Sequence, residues 1–180
     1  MKEQTPRPTE PREMRLVYAE TLVRLAEIDP DIVILEADLM KASATGIFRE
    51  RFPERTFNVG VAEANMVGIA AGLSASGKIP FAASFACFAA RRAFDQFFLS
   101  CNYAGLNVKL VGTDPGIAAE YNGGTHMCFE DLGLMRTVPG LVAFEPCDPV
   151  SLARLVERAA AHRGCTYLRL HRKPVAPIYD

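Results

Sequence analysis

The chain has 180 residues, the length of one domain on the usual scale of roughly 100–200 residues per domain. Lys and Arg number 20 against 21 Asp and Glu, a net charge of −1, which excludes the charge excess of a nucleic-acid or anionic-membrane binder, and no apolar run approaches the ~20 residues of a membrane helix. Five cysteines (Cys87, Cys101, Cys128, Cys147 and Cys165) stand at wide, irregular spacings with no CxxC pair, which argues against a disulfide scaffold or zinc site and for a reducing cytoplasm.

Residues 1–12, with prolines at 6, 8 and 11 and many charges, read as a disordered tail without the apolar stretch of a signal peptide; residues 13–180 read as the folded domain. Residues 13–28 place Leu16, Ala19, Leu22, Val23 and Ala26 on one helical stripe, and Asp29-Pro30 stops that helix because the residue before proline avoids the helical region. Ile32–Glu36 is short and apolar, a buried strand. A helix is expected around Ile47–Phe52, ended by Pro53, and a strand over Thr56–Val59. Residues 61–76 form an apolar helix closed by Gly77, with Gly68 and Gly72 on one face that a neighbour can approach closely. Strands are expected at Ile79–Phe85 and Asn107–Val111, with a helix rich in aromatics and Arg over 88–101 between them. Gly112–His126 is irregular, and loops of that length inside compact domains are usually functional. A strand at Leu141–Phe144, a helix at Pro149–Ala161 and a strand at Thr166–Leu170 complete the pattern.

Alternating strands and helices imply right-handed crossovers and an α/β, three-layer fold: a mostly parallel sheet with helices on both faces. Ligands in such sheets sit at the carboxyl ends of the strands, so the loops after residues 35, 59, 85 and 111 should converge on a site. Three groups there could carry chemistry. Glu63 falls in the first turn of an apolar helix, where the helix dipole alone favours a carboxylate; buried in a pocket, the same group could control a proton. Phe85 and Phe88 fall at a strand–helix turn, where they could pack the core or sandwich a planar heterocycle. His126 follows Gly-Gly-Thr in the long loop and is either structural or a proton-transfer group. Nucleotide-loop, zinc-protease and serine-hydrolase motifs are absent.

The string FNVGVAEANMVGIAAGLSASGKIPFAASFACF and the later GGTHMCFEDLGLMRTVPGLVAFEPCDP resemble the pyrimidine-binding module of the transketolase family, over about residues 13–175. The resemblance implies thiamine diphosphate as cofactor and two-carbon ketol transfer between sugar phosphates or related substrates. It implies that Glu63 hydrogen-bonds the N1′ nitrogen of the cofactor's aminopyrimidine, that Phe85 and Phe88 line the pyrimidine pocket, and that Asp38 lies near the cofactor and a dimer contact. His126 matches a histidine that contacts substrate oxygens, and Arg172 an arginine that grips the substrate phosphate. Asp114 stands where the family often has a second histidine, Asn122 where it has an aspartate that reads a substrate hydroxyl, and Met127 where a glutamine often follows. A phosphate-binding serine of the family falls near Ala42 or Ser43. These departures leave the cofactor machinery intact and turn expectation away from the usual sugar phosphates.

The family holds the diphosphate through Mg2+ on a second module marked by GDG and a later Asn; this chain contains no GDG and is expected to hold no metal itself. The expectation is one module of three, working with a diphosphate-binding transketolase N-terminal subunit or domain, as homodimer or heterotetramer. The alternatives are a non-catalytic, partner-binding paralogue, or the equivalent module of a 1-deoxyxylulose-phosphate synthase or 2-oxoacid dehydrogenase.

Overall fold

In the computed structural model, residues 10–179 are described. The strand β1 (Arg12–Glu13) leads into α1 (Met14–Ile28), β2 (Ile32–Glu36), the short helices α2 (Met40–Ser43) and α3 (Gly46–Arg51), β3 (Thr56–Asn58), α4 (Glu63–Ala75) and β4 (Ile79–Phe85). The helical stretch after β4 is mostly in the wide π register, Phe88–Arg92 and Phe97–Tyr103, with one α turn, α5 (Phe94–Gln96), between. The chain continues through β5 (Lys109–Thr113), α6 (Asp131–Met135), β6 (Val142–Phe144), α7 (Pro149–Ala161), β7 (Thr166–Leu170) and β8 (Pro174–Val175).

Six strands form one sheet in the order β3-β2-β4-β5-β7-β6, and every pairing in it is parallel. Both faces are covered, which is why the strands read as apolar runs. Val33, Leu35, Ala82 and Leu110 pack with α4, the π segments and α6 on one face. Ile32, Ile34, Phe81 and Val111 pack with α1, α3 and α7 on the other. From β2 the chain steps outward to β3 and returns on the opposite side as β4, so the strand order reverses between β2 and β4. That reversal opens a crevice at their carboxyl ends. No helix among the described residues is long and apolar enough to cross a membrane.

Local chemistry fixes several joints. Asp148 caps α7 by accepting from Ser151 N at 2.7 Å, and its second oxygen accepts from Ile178 N and Tyr179 N at 2.8 and 3.0 Å. Burial opposes its ionisation, but these hydrogen bonds prevail and hold the carboxyl down to about 2. At Gly112 in β5 the ring of Tyr167 crosses so closely that an added Cβ would sit 2.2 Å from the hydroxyl oxygen. Tyr167 cannot step aside, being fully buried and donating to Asp131 Oδ2 at 2.9 Å. Gly112→Ala should therefore destabilise the chain by about 1–3 kcal/mol, the usual cost of overpacking, visible as an earlier urea midpoint; an unchanged midpoint would contradict the geometry.

The expected strands all form, and β5 starts two residues later than the sequence suggested. Lys109 is buried inside it because its ammonium donates to Asn107 Oδ1 and to the carbonyls of His162 and Gly164 at 2.6–2.8 Å. The helix expected over 61–76 begins at Glu63, since Gly60 takes a positive φ of 75°. The Gly68 and Gly72 face meets no neighbour among the described residues. The expected α-helix over 88–101 is replaced mostly by π turns. Residues 1–9 of the expected tail lie outside the described residues, whereas Arg12 pairs with Val175 in the β1–β8 ribbon.

Candidate functional site

The carboxyl ends of β2, β3, β4, β5 and β7 carry the expected residues, and most of them meet. Glu63 opens α4 immediately after the β3 turn and is 1% exposed. A carboxylate at that position gains from the helix dipole, but burial to this degree demands a partner. Arg92 Nη1 donates to Glu63 Oε2 at 2.7 Å, and Ser84 Oγ, next to last in β4, reaches Oε1 only at 3.4 Å. The Arg92 guanidinium lies over the Phe88 ring, its Cζ 4.2 Å from the ring centroid. Phe88 and Phe85 are stacked, 6.1 Å between centroids at 26°. The readings of the phenylalanines as core and as pocket wall both hold in part: Phe85 is 6% exposed and packs on Ala86, Cys87 and Cys128, while Phe88 is only partly buried.

The long loop is closed by paired backbone hydrogen bonds between Gly116 and Cys128, at 2.6 and 3.2 Å. This closure turns His126 back onto the aromatic pair, edge-on to Phe88 at 5.2 Å and to Phe85 at 5.8 Å. Its Nδ1 lies 2.8 Å from Thr125 Oγ1, which orients the ring. Asp114 follows β5 in a left-handed conformation, φ 53°, and is fully buried. Its Oδ1 forms an ion pair with Arg172 Nε at 2.8 Å. Burial raises the Asp114 carboxyl above the usual range, against the pull of Arg172. Arg172 in turn approaches the Phe85 ring, 5.9 Å to the centroid.

Two expected residues stand apart. Asp38, just beyond β2, also takes a left-handed conformation and binds Asn58 through both its amide and its carboxylate. Asn122 is exposed on a turn of the loop, and among the described residues no hydrogen bond, ion pair or ring contact joins it to the others.

The geometry adds three residues that sequence reasoning missed. Arg92 is the first. The second is Arg15, in the first turn of α1, which hydrogen-bonds the carbonyls of Lys41 and Ala42 and lines, with Glu13, Arg172, Lys173 and Pro174, a cavity of about 310 Å3. The third is Glu36, the fully buried last residue of β2, whose Oε1 accepts from Ser43 Oγ and Thr45 Oγ1 at 2.5 and 2.6 Å. Burial outweighs those two hydrogen bonds and raises its carboxyl to about 7. A glutamate within an apolar strand, followed by Ser and Thr, was the available signal. Among the described residues no group of three or more His, Cys, Asp or Glu side chains is placed to hold a metal ion.

The chain matches the family model described as transketolase, pyrimidine binding domain, over residues 10–177. It is 52% identical over 165 residues to the 6-deoxy-6-sulfo-D-fructose transketolase subunit of a Clostridium species, covering 92% of this chain and 51% of that protein. It is 34% identical to an apulose-4-phosphate transketolase subunit of Phocaeicola vulgatus, covering 92% of this chain and 53% of that one. Among solved structures it superimposes on a split-gene transketolase described as an inactive beta4 tetramer, with a TM-score of 0.84 and 44% identity, over 93% of this chain and 54% of that one. The transketolase of Campylobacter jejuni matches in fold, with a TM-score of 0.86 at 20% identity, over 98% of this chain and 28% of that one. The chain thus spans about half the length of the curated subunits it matches.

Proposed function

Because this chain belongs to the transketolase pyrimidine-binding domain family, we propose that it supplies the pyrimidine-binding half of a thiamine-diphosphate site for two-carbon ketol transfer, completed by a partner that binds the diphosphate through Mg2+. The observation that carries this reading is Glu63, a carboxylate 1% exposed at the edge of a stacked phenylalanine pair. The residues fit an aminopyrimidine. Stacked rings suit a flat heterocycle, and the Glu63 oxygen that Arg92 Nη1 now meets at 2.7 Å suits a ring nitrogen that becomes protonated.

When bound, thiamine diphosphate supplies the nucleophilic carbon and electron sink for the carbon–carbon chemistry. Glu63 accepts a hydrogen bond at the ring nitrogen and holds the proton there. Phe85 and Phe88 orient the ring and exclude water from it. His126, fixed by Thr125 and the two rings, presents its imidazole to oxygens of the substrate. Arg172, held by Asp114, and Arg15 supply cationic charge for an anionic end of the substrate. Arg pairs of this kind bind phosphate and sulfonate groups through several directed N–H donors.

The partner half is tested by calorimetry. The isolated chain should bind thiamine diphosphate and Mg2+ no better than weakly, and micromolar binding by this chain alone would overturn the need for a partner. The name of the 52% identical relative and the replacement of the loop's usual residues by Asp114, Asn122 and Met127 favour an anionic ketose other than xylulose 5-phosphate as donor. A panel of donors given to the assembled enzyme should rank a sulfonated or differently phosphorylated ketose first. Xylulose 5-phosphate with ribose 5-phosphate as clearly the best pair would contradict this.

A further inference from the structure

The Arg92 guanidinium is flat and cationic. It lies 4.2 Å over the Phe88 ring and donates to Glu63 Oε2 at 2.7 Å. A protonated aminopyrimidine bound as proposed above would use the same two groups in the same two ways: its face against a phenylalanine, its N–H on the Glu63 carboxylate. We infer that Arg92 is a positioning residue that stands in the place of the pyrimidine, holding the Glu63 side chain paired and aimed until the cofactor's ring displaces it. This inference rests on the pyrimidine-site reading.

The physical need is clear at Glu63. A carboxylate this buried costs several kcal/mol without a counter-charge, and Arg92 is the cation in contact with it. The Arg92 side chain is itself 48% exposed, so it can swing into solvent at little cost when a ligand takes its place. The placement follows from the π register of Phe88–Arg92, a widened turn of the kind that recurs at functional sites. Arg91, its neighbour, points elsewhere, pairing with Glu130 at 2.9 Å. Ligand binding at Glu63 is then an exchange in which one charge-assisted hydrogen bond and one cation–ring contact are given up for another pair.

Thiamine, which carries the aminopyrimidine without the diphosphate that the partner would hold, is the probe. The isolated full chain is labelled on arginine and phenylalanine and titrated with thiamine by NMR. In the free chain the Arg92 side-chain signals should be shifted upfield by the Phe88 ring current, and they should move to solvent-exposed positions as thiamine saturates the site. Arg92→Met, which leaves Glu63 without its counter-charge and should lower the melting temperature, should bind thiamine about tenfold more tightly than wild type at a temperature where both are folded, the size of one charge-assisted hydrogen bond no longer displaced. Adding Glu63→Gln should abolish that gain. If thiamine moves the Phe85 and Phe88 signals while Arg92 stays over its ring, the ring enters beside Arg92: the pyrimidine reading stands and the inference is overturned. Equal affinities in wild type and Arg92→Met overturn it also. Thiamine binding that leaves both phenylalanines unmoved sinks the pyrimidine reading and the inference together, and no binding to either protein up to the solubility of thiamine shows that Arg92 is not what closes the site.

Discussion

Glu63→Gln should reduce turnover of the assembled enzyme by about 10²–10⁴-fold, the usual weight of a positioned proton-transfer group, with little change in melting temperature. Gln is nearly isosteric, and removing a carboxylate that is 1% exposed relieves a desolvation cost while releasing Arg92, which solvent can accept. An amide can still meet a ring nitrogen, but it cannot stabilise a proton there as a carboxylate does, since charge-assisted hydrogen bonds are roughly twice as strong as neutral ones. A glutamate serving only the helix dipole would behave differently: its loss would cost at most about 1 kcal/mol of stability and leave turnover intact. Steady-state rates and thermal melts of the two proteins separate these cases.

The second large effect belongs to Glu36. Burial raises its carboxyl from 4.5 to about 7, the hydrogen bonds from Ser43 and Thr45 opposing less strongly. Because the folded pKa lies above the unfolded one, the native state retains a proton that the unfolded chain has lost between those two values. The associated stability is fully present below about pH 4.5 and is lost as pH rises through about 7. At 1.36 kcal/mol per pKa unit, the loss is on the order of 3 kcal/mol. Glu36→Gln keeps an acceptor for Ser43 and Thr45 and carries no titratable proton. In urea unfolding across pH 4.5–8, the wild type should lose stability relative to Glu36→Gln as pH rises, and the variant should be the more stable protein at pH 8. Parallel curves would show that Glu36 is not the group responsible.

The centre of the sheet was legible in the sequence because the inner strands β2, β4, β5 and β7 are buried almost throughout and read as largely apolar runs, as Ile32–Glu36 does. The strand read over Asn107–Val111 forms two residues further on, as Lys109–Thr113, because the apolar run ends at Val111 whereas the ladder to β7 continues through Gly112 and Thr113. The piece α2 was missed for being four residues long, too short to show a helical period. Within the site, Glu63, Phe85, Phe88 and His126 could be picked out by their positions at strand ends and in an irregular loop. Arg15 and Arg92 could not. An arginine on a helix reads as a solvated face, and only the packing of Phe88 and Glu63 against one turn reveals what Arg92 touches. Asp114 was read only as the loop residue standing where the family often has a second histidine; that the fold buries it and pairs one of its oxygens with Arg172 had no signal in the sequence.

The most direct measurement of the central claim is exchange of the C2 proton of thiamine diphosphate in the assembled complex, followed by NMR after acid quench in deuterated buffer. Control of the pyrimidine's proton by Glu63 predicts fast exchange in the wild type and exchange slowed about 10²–10⁴-fold in Glu63→Gln, at equal cofactor occupancy. Equal exchange rates in the two proteins would show that Glu63 is a structural residue at a helix start and that this chain does not activate the cofactor through it.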